Sequence, residues 1–260
     1  MGLLRHFTAG MPQLDIHTLA EEWALAYAME STWMLLAESL GKPPTQWLDA
    51  AGGRMYGAVM AIETRFDLDH PVLEDDIVAA QTDMTAVRKP HAIALTSFAV
   101  AGQVRAEARV LTSFIRRDQP GSNKKFSKVR DVWTAPDLDP DAVDDWLERH
   151  HAAKSFASPT GLAMQYEINR LQDFNAADFL YFKNFVRIAR AAEWRNGRQT
   201  APELVAHRQG FYFGNVEDGE VIDARIDRQD GLTRTALLGD DGRTLFCSTS
   251  LMRPVAIRPR

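Results

Sequence analysis

The chain has 260 residues, 45% of them hydrophobic and 25% charged, with a formal net charge of −5. That length allows one large domain or two of ordinary size, and the composition is that of a soluble globular protein. The acidic balance gives no general basis for nucleic-acid binding, and the single cysteine, Cys247, excludes an internal disulfide and a cysteine-rich metal site.

A lone cysteine fits a reducing compartment. The opening Met-Gly-Leu-Leu-Arg-His-Phe lacks the apolar core of a signal peptide. Nothing approaches the run of about 18 apolar residues that a membrane-spanning helix needs, so a cytoplasmic chain without a membrane partner is expected.

Residues 10–16 read as an entry loop and 17–40 as a long helix. Thr18 with Glu21 three residues on has the capping-box pattern, and Gly41 with Pro43-Pro44 ends the helix. From Trp23 to Met29 the residues are apolar on every side, which suits a helix buried on most faces. Glu30 interrupts that run, as an exposed helix edge or as a paired carboxylate. After a loop at 45–53, four strands are expected near 54–66, 76–87, 91–101 and 104–116. The last two are joined by a short hairpin at Ala101-Gly102-Gln103.

Residues 118–160 break the pattern, with loops at 118–125 and 135–141 and a short acidic helix near 140–152. They read as a linker between two similar units, 1–117 and 161–260. The second unit has a lead-in strand near 162–171, a helix at 177–195, and strands near 207–215, 220–228, 232–239 and 243–253. Asp240-Asp241-Gly242 marks the last hairpin. In the helix, Phe179, Phe182, Val186 and Ala189 recur at helical spacing, with Asn175 or Asp178 placed to cap it. A long helix followed by four strands thus occurs twice. The expected fold is α+β, with two long central helices each wrapped by an antiparallel sheet; a single α+β domain with two helices is the alternative.

Two sets of motifs resemble known families. Asp173-x-Asn175, followed by Leu180-Tyr181-Phe182-x-Asn184-Phe185 and Ala191-x-Glu193, resembles the opening of a hotdog domain of the 4-hydroxybenzoyl-CoA thioesterase type. Such domains begin Asp-x-Asp/Asn-x-x-Gly, run into a central helix and act on acyl thioesters. Here Asp178 replaces the usual glycine, and Asn175 stands where the thioesterases keep a catalytic aspartate. An amide is neither a general base nor a nucleophile, so the resemblance implies the fold and not that hydrolytic mechanism. Gly10-Met-Pro-x-Leu14, the tryptophan-bearing helix with Leu35-Leu36-Ala37, and Asp49-x-x-Gly52-x-Arg54-x-Tyr56-x-Ala58 resemble the bifunctional acyltransferase/decarboxylases of polyketide biosynthesis, the leinamycin type. These are double hotdogs.

The second resemblance implies a cycle. Methylmalonyl-CoA or malonyl-CoA acylates a tyrosine in the position of Tyr56, carbon dioxide leaves, and the acyl group passes to the phosphopantetheine thiol of an acyl carrier protein. CoA enters as part of the substrate, and no other cofactor is needed. A phenol with a reference pKa of about 10 needs a partner to take its proton or stabilise its charge. Strand alternation places Tyr56, Ala58, Met60 and Ile62 on one face, and Gly57 and Ala58 leave room for a ligand. Read as an ordinary strand residue, Tyr56 would instead keep its hydroxyl at the sheet edge. The Asn175 amide donates to a thioester carbonyl or binds the departing carboxylate, beside helix N-terminal donors, or it only caps the helix. Asp173 binds substrate or orders the turn.

Other candidates carry less. Lys124-Lys125 with Lys128 and Arg130 is the best basic cluster, for CoA phosphates or an acidic carrier protein, or as a solvated loop. His91, opening a strand, reads as a surface or loop residue. His150 and His151 point apart on the linker helix, so no metal site is expected there. Cys247 reads as packed. No P-loop, Rossmann glycine pattern, Gly-x-Ser-x-Gly elbow or His-Glu-x-x-His occurs. The rivals are a hotdog thioesterase or dehydratase acting on acyl-CoA or acyl-carrier-protein thioesters, and a non-catalytic acyl-binding double hotdog. Exposed sheet edges make a homodimer an expectation as well.

Overall fold

A computed structural model describes residues 2–129, 132, 137–156, 158–197, 203–229 and 231–255. Strand β1 (Gly2–Thr8) leads into helix α1 (Glu21–Leu40), then β2 (Met55–Phe66), β3 (Ile77–Arg88), β4 (His91–Val100) and β5 (Gln103–Arg117). Short β6 (Phe126–Lys128) and helix α2 (Pro140–Ala152) follow. The remainder is β7 (Leu162–Glu167), α3 (Arg170–Asp173), α4 (Phe182–Gly197), β8 (Glu203–Tyr212), β9 (Val221–Gln229), β10 (Leu232–Leu238) and β11 (Thr244–Pro254).

The strands form one sheet in the order β1-β3-β4-β5-β2-β8-β11-β10-β9-β7, with β6 paired to β5. Every pairing is antiparallel. Read from either outer edge inward, the two five-strand halves have the same connectivity: lead strand, then the second, third and fourth strands after the helix, then the first. They join where β2 pairs with β8, over residues 61–65 and 207–211.

Both long helices pack on one face of this sheet. Leu25 and Met29 of α1 share a single buried cluster with Phe185 and Ile188 of α4. Each such side chain contributes about 1.5–3 kcal/mol by leaving water, so the cluster holds both halves together. Helix α2 covers the other face, where Val143 and Trp146 bury against Met60, Ile93, Leu111, Phe211 and Cys247.

Between the halves lies a buried charge cluster. Arg208 of β8 is 0% exposed. It donates Nε and Nη2 to Glu21 at 2.9 and 3.3 Å, and Nη1 and Nη2 to Glu193 at 2.8 and 2.9 Å. Thr64 and Thr235 add hydroxyl donors to Glu21 and Glu193 at 2.8 and 3.0 Å. Burial alone would raise the Glu21 carboxyl, but Arg208 and Arg190 outweigh it and hold the group below the ordinary carboxylate range.

Several expectations need correction. Helix α1 begins at Glu21 with Ala20 as its N-cap and no side-chain cap bond, so Thr18–Glu21 is not a capping box. Glu21 points into the core because Arg208 lies there, a contact 187 residues away in the chain. Helix α4 begins at Phe182 and not near 177, because Asn175 spends its side-chain oxygen on the turn before it. Strand β1 belongs to the first half and is absent from the sequence reading. It is an edge strand that buries no residue fully, with Leu4 exposed. A bulge between Val59 and Ala61 breaks the alternation in β2, sending Met60 toward α2 while Ile62 joins the helix side. His91 is buried and not a surface residue, whereas Glu30 is exposed and Cys247 is packed.

Candidate active site

Pairing of β2 with β8 stops at Ala61 and Phe211. Past that point the two strands and the turn before α4 surround a cavity of about 260 Å³. Tyr56 lines it from the first half and Asn175 from the second, with Phe179, Phe182, Phe185 and Tyr212 in its apolar wall. Lys128 from β6, and His150 and Lys154 from the α2 region, complete the lining.

The Asn175 turn is built by its own sequence. The side-chain oxygen accepts the amide protons of Ala177 at 3.0 Å and Phe179 at 3.2 Å, and a bridge between Phe174 and Leu180 closes the loop. A short polar side chain bonding the backbone ahead of it is the reason asparagine suits such turns. With the oxygen occupied, the amide nitrogen is left without a protein partner among the described residues, so Asn175 presents a donor. Asp178, at φ 63°, takes the left-handed conformation that the turn needs. Asn215 clamps the far side, accepting from the Leu180 amide at 3.0 Å and donating to the Leu180 carbonyl at 3.2 Å.

Asp173 does not line this cavity. It is 0% exposed, pairs with Arg187 at 2.6 Å, accepts from the Tyr166 hydroxyl at 3.1 Å and from the Asn169 amide at 2.9 Å. Its backbone carbonyl holds Asn184 at 2.8 Å and Tyr181 at 3.0 Å. Of the two readings the sequence leaves open, this geometry is the turn-ordering one.

The Tyr56 ring meets Phe179 edge-on at 5.3 Å and lies 5.1 Å from the Arg54 guanidinium and 5.6 Å from that of Arg117. Arg117 stacks over Phe179 at 4.2 Å and donates to the carbonyls of Ala177 and Asp178 at 3.0 and 3.1 Å. A residue of β5 thereby fixes the turn of the other half against Tyr56.

His150 lines the cavity, a position that sequence reasoning misses because its helix reads only as an acidic linker. Its Nε2 lies 2.9 Å from the Tyr212 carbonyl. A carbonyl only accepts, so Nε2 carries the proton and the neutral ring keeps a lone pair on Nδ1. Burial pushes the imidazole below its ordinary value, with Lys154 and Lys128 acting the same way against the Tyr212 carbonyl. Of the basic cluster, Lys128 reaches the cavity, Lys124 pairs with Glu220 and Asp240, and Arg130 lies outside the described residues. No Asp or Glu lines the cavity among the described residues, and no group of three or more metal-ligating side chains occurs among them.

A second cavity of about 1060 Å³ lies at the opposite end of the β2–β8 seam, against Asp15, Arg190, Trp194 and Leu204. Asp173 does not line this one either. Both of its arginines are paired: Arg190 with Asp15 and Glu22, both at 3.5 Å, and Arg228 with Glu203 at 2.7 Å.

No protein-family model and no curated protein matches the sequence. Solved structures do resemble the fold. An acyl-ACP thioesterase from Bacteroides thetaiotaomicron aligns with a TM-score of 0.67 and 8% identity, over 97% of this chain and 98% of that one. The 12:0-ACP thioesterase from Umbellularia californica aligns with a TM-score of 0.69 and 10% identity, over 98% of both chains. A conserved protein of unknown function with a hot dog fold from Alicyclobacillus acidocaldarius aligns with a TM-score of 0.51 and 11% identity, over 97% of this chain and 93% of that one. At such identities the likeness is one of fold, and the fold is of the hotdog type.

Proposed function

We propose that this chain is a double hotdog, two hotdog units in one polypeptide, that cleaves acyl thioesters of CoA or of an acyl carrier protein in the cavity between its halves. The observation that carries the reading is the meeting of Asn175 and Tyr56, from opposite halves, in one aromatic cavity. The acyl group fills the aromatic part, and the free amide of Asn175 donates to the thioester carbonyl as negative charge builds on it. A fixed donor aimed at developing charge in a water-poor site is one of the strongest ways an enzyme lowers a barrier. Lys128 and Lys154 bring positive charge to the same cavity, which suits the phosphates of CoA or of phosphopantetheine.

Two acceptors for the acyl group fit this site. Water, deprotonated by Nδ1 of His150, gives a thioesterase; the neutral ring with one fixed proton favours that reading. Tyr56 as acceptor gives acyl transfer, favoured by the Tyr56 ring standing beside Arg54 and Arg117 in a cavity with no carboxylate base among the described residues. In that reading the Tyr56 oxygen adds to the carbonyl carbon, the carbon–sulfur bond breaks, and the phenolic proton goes to the departing thiolate. A malonyl or methylmalonyl group then loses carbon dioxide, its enolate takes a proton, and the acyl group passes to a carrier thiol.

Intact-protein mass spectrometry with parallel assay of released CoA separates these fates, using malonyl-, methylmalonyl- and butyryl-CoA. An acyl adduct absent from Tyr56→Phe supports transfer. CoA release without an adduct, abolished in His150→Gln, supports hydrolysis. Binding without either leaves an acyl-binding protein and refutes the enzymatic reading.

A further inference from the structure

The sheet ends on β1 at one side and on β7 at the other, and the two edges are built differently. Strand β7 is irregular. Its register with β9 shifts between Leu162 and Met164, a bulge of the kind that turns an edge away from further pairing. Strand β1 has no such break. Its seven residues pair with β3 without a shift, from Gly2 opposite Asp83 to Thr8 opposite Ile77. It contains no proline, and its other side meets no strand among the described residues. A regular edge of this length presents a row of backbone donors and acceptors to another strand.

The side chains beside this edge are apolar on both faces. Leu3, Arg5 and Phe7 lie opposite the buried Thr82, Ala80 and Val78, and so share the helix side of the sheet. Leu4 and His6 point the other way. Leu4 is 55% exposed, and on the helix side Met34 of α1 is 41% exposed. Arg5, the one arginine of the strand, lies along α1 with Nη2 3.0 Å from Met34 Sδ.

We propose that β1 is a self-association edge, on which two copies of this chain pair antiparallel about a two-fold axis at Leu4 and join their sheets into one. The strand is complementary to itself in that register. Leu4 meets its own copy, Arg5 meets Leu3 and His6 meets Gly2, so two exposed leucines cover one another and no like charges oppose. The next register, centred on Arg5, sets two guanidinium groups face to face and is disfavoured. The bulge in β7 leaves each chain one regular edge. An interface that uses the same patch on both copies closes at two and does not grow into a filament. No residue of β1 lines either cavity, so the proposal stands apart from the thioester reading.

Sedimentation equilibrium of the full chain, with any tag placed at its C-terminus, distinguishes one copy of 29.2 kDa from two. The parent is expected to be a dimer at micromolar concentration. Leu4→Lys changes a side chain that is exposed in the single chain, so circular dichroism should show an unchanged fold. Self-association is expected to weaken at least about tenfold, because two leucines return to water and two ammonium groups face each other at the axis. A short bis-maleimide gives a positional readout, since Cys247 is buried. It should link two copies of Leu4→Cys and not two of Ile77→Cys, an exposed position one strand in from the edge. A single-copy parent, a dimer that Leu4→Lys leaves intact, growth beyond two copies, or equal linking at both positions would overturn the proposal.

Discussion

Replacing Arg208 by methionine tests the account of how the halves are joined. The guanidinium makes four hydrogen bonds to Glu21 and Glu193, carboxylates that are each 3% exposed. Without it, two like charges remain in the core with hydroxyl donors and, for Glu21, the charge of Arg190 for company. Breaking one buried pair costs about 3–5 kcal/mol, and here two pairs share the cation, so about 5 kcal/mol is expected for Arg208→Met. At about 2–4 °C per kcal/mol for chains of this size, Tm falls by roughly 10–20 °C. Urea unfolding followed by tryptophan fluorescence reads the same loss as a lower midpoint at unchanged slope. The mechanism carries a sign that mere loss of packing would not. In Arg208→Met the unpaired Glu21 carboxyl is raised above its unfolded value, so that variant gains stability as pH falls through the carboxyl range. The parent holds Glu21 depressed and loses stability over the same fall. The triple replacement Arg208→Met, Glu21→Leu, Glu193→Leu removes every charge and recovers most of the loss. A cost below about 1 kcal/mol, or a single variant with the parent's pH dependence, would refute the reasoning.

Three further outcomes follow from the site and its surroundings. Asn175→Ala removes the donor and the turn's acceptor together, so thioester cleavage is expected to fall about 10²–10³-fold in kinetics on a reactive acyl-CoA. If His150 is the base, the acid limb of the pH–rate profile lies below the ordinary histidine value and vanishes in His150→Gln, because burial disfavours the imidazolium. His91 is held at about 4 by burial, with Lys128 adding to it. The unfolded chain therefore binds its proton first, and stability that is complete above pH 6.5 is lost progressively toward pH 4, by up to about 3 kcal/mol. Thermal melts across that range should flatten by this amount in His91→Gln.

Legibility followed distance along the chain. The long helices and the eight strands after them announce themselves through local periodicity, and Ala101-Gly102, at φ 49° and 78°, is a turn that its residues dictate. Asn175 was legible because its role is local, a side chain bonding amides two and four residues ahead. The failures are long-range. Glu21 fits a capping box well until Arg208 is brought to it. The bulge at Met60 leaves no mark in a run of small and apolar residues, yet it decides which residues face α2. Trp33, Ser113 and His150 look like core and linker residues, and only the ending of the β2–β8 pairing at Ala61 gathers them around one space. Tyr56 is an ordinary strand aromatic by pattern, and its candidacy comes from the resemblance of its surrounding motif.

The two halves repeat the turn before the helix closely enough to ask why only one makes a candidate site. In the first half Leu14 bridges Leu19, the Asp15 side chain accepts from His17 and Thr18 at 2.9 Å, and the Ala20 amide reaches back to Gln13. In the second, Phe174 bridges Leu180, Asn175 accepts from Ala177 and Phe179, and the Tyr181 amide reaches back to Asp173. The backbone device is the same; the difference is what each side chain has left. Asp15 has an oxygen, and Arg190 takes it at 3.5 Å. Asn175 has two N–H donors that nothing in the described protein accepts. The first turn is thereby closed by an ion pair at the mouth of the larger cavity, and the second stays open toward Tyr56. Swapping the chemistry tests this directly: Asp15→Asn leaves Arg190 to Glu22 and is expected to cost little stability, as partly exposed pairs do, without creating thioester cleavage in the larger cavity, which has no tyrosine among its lining residues.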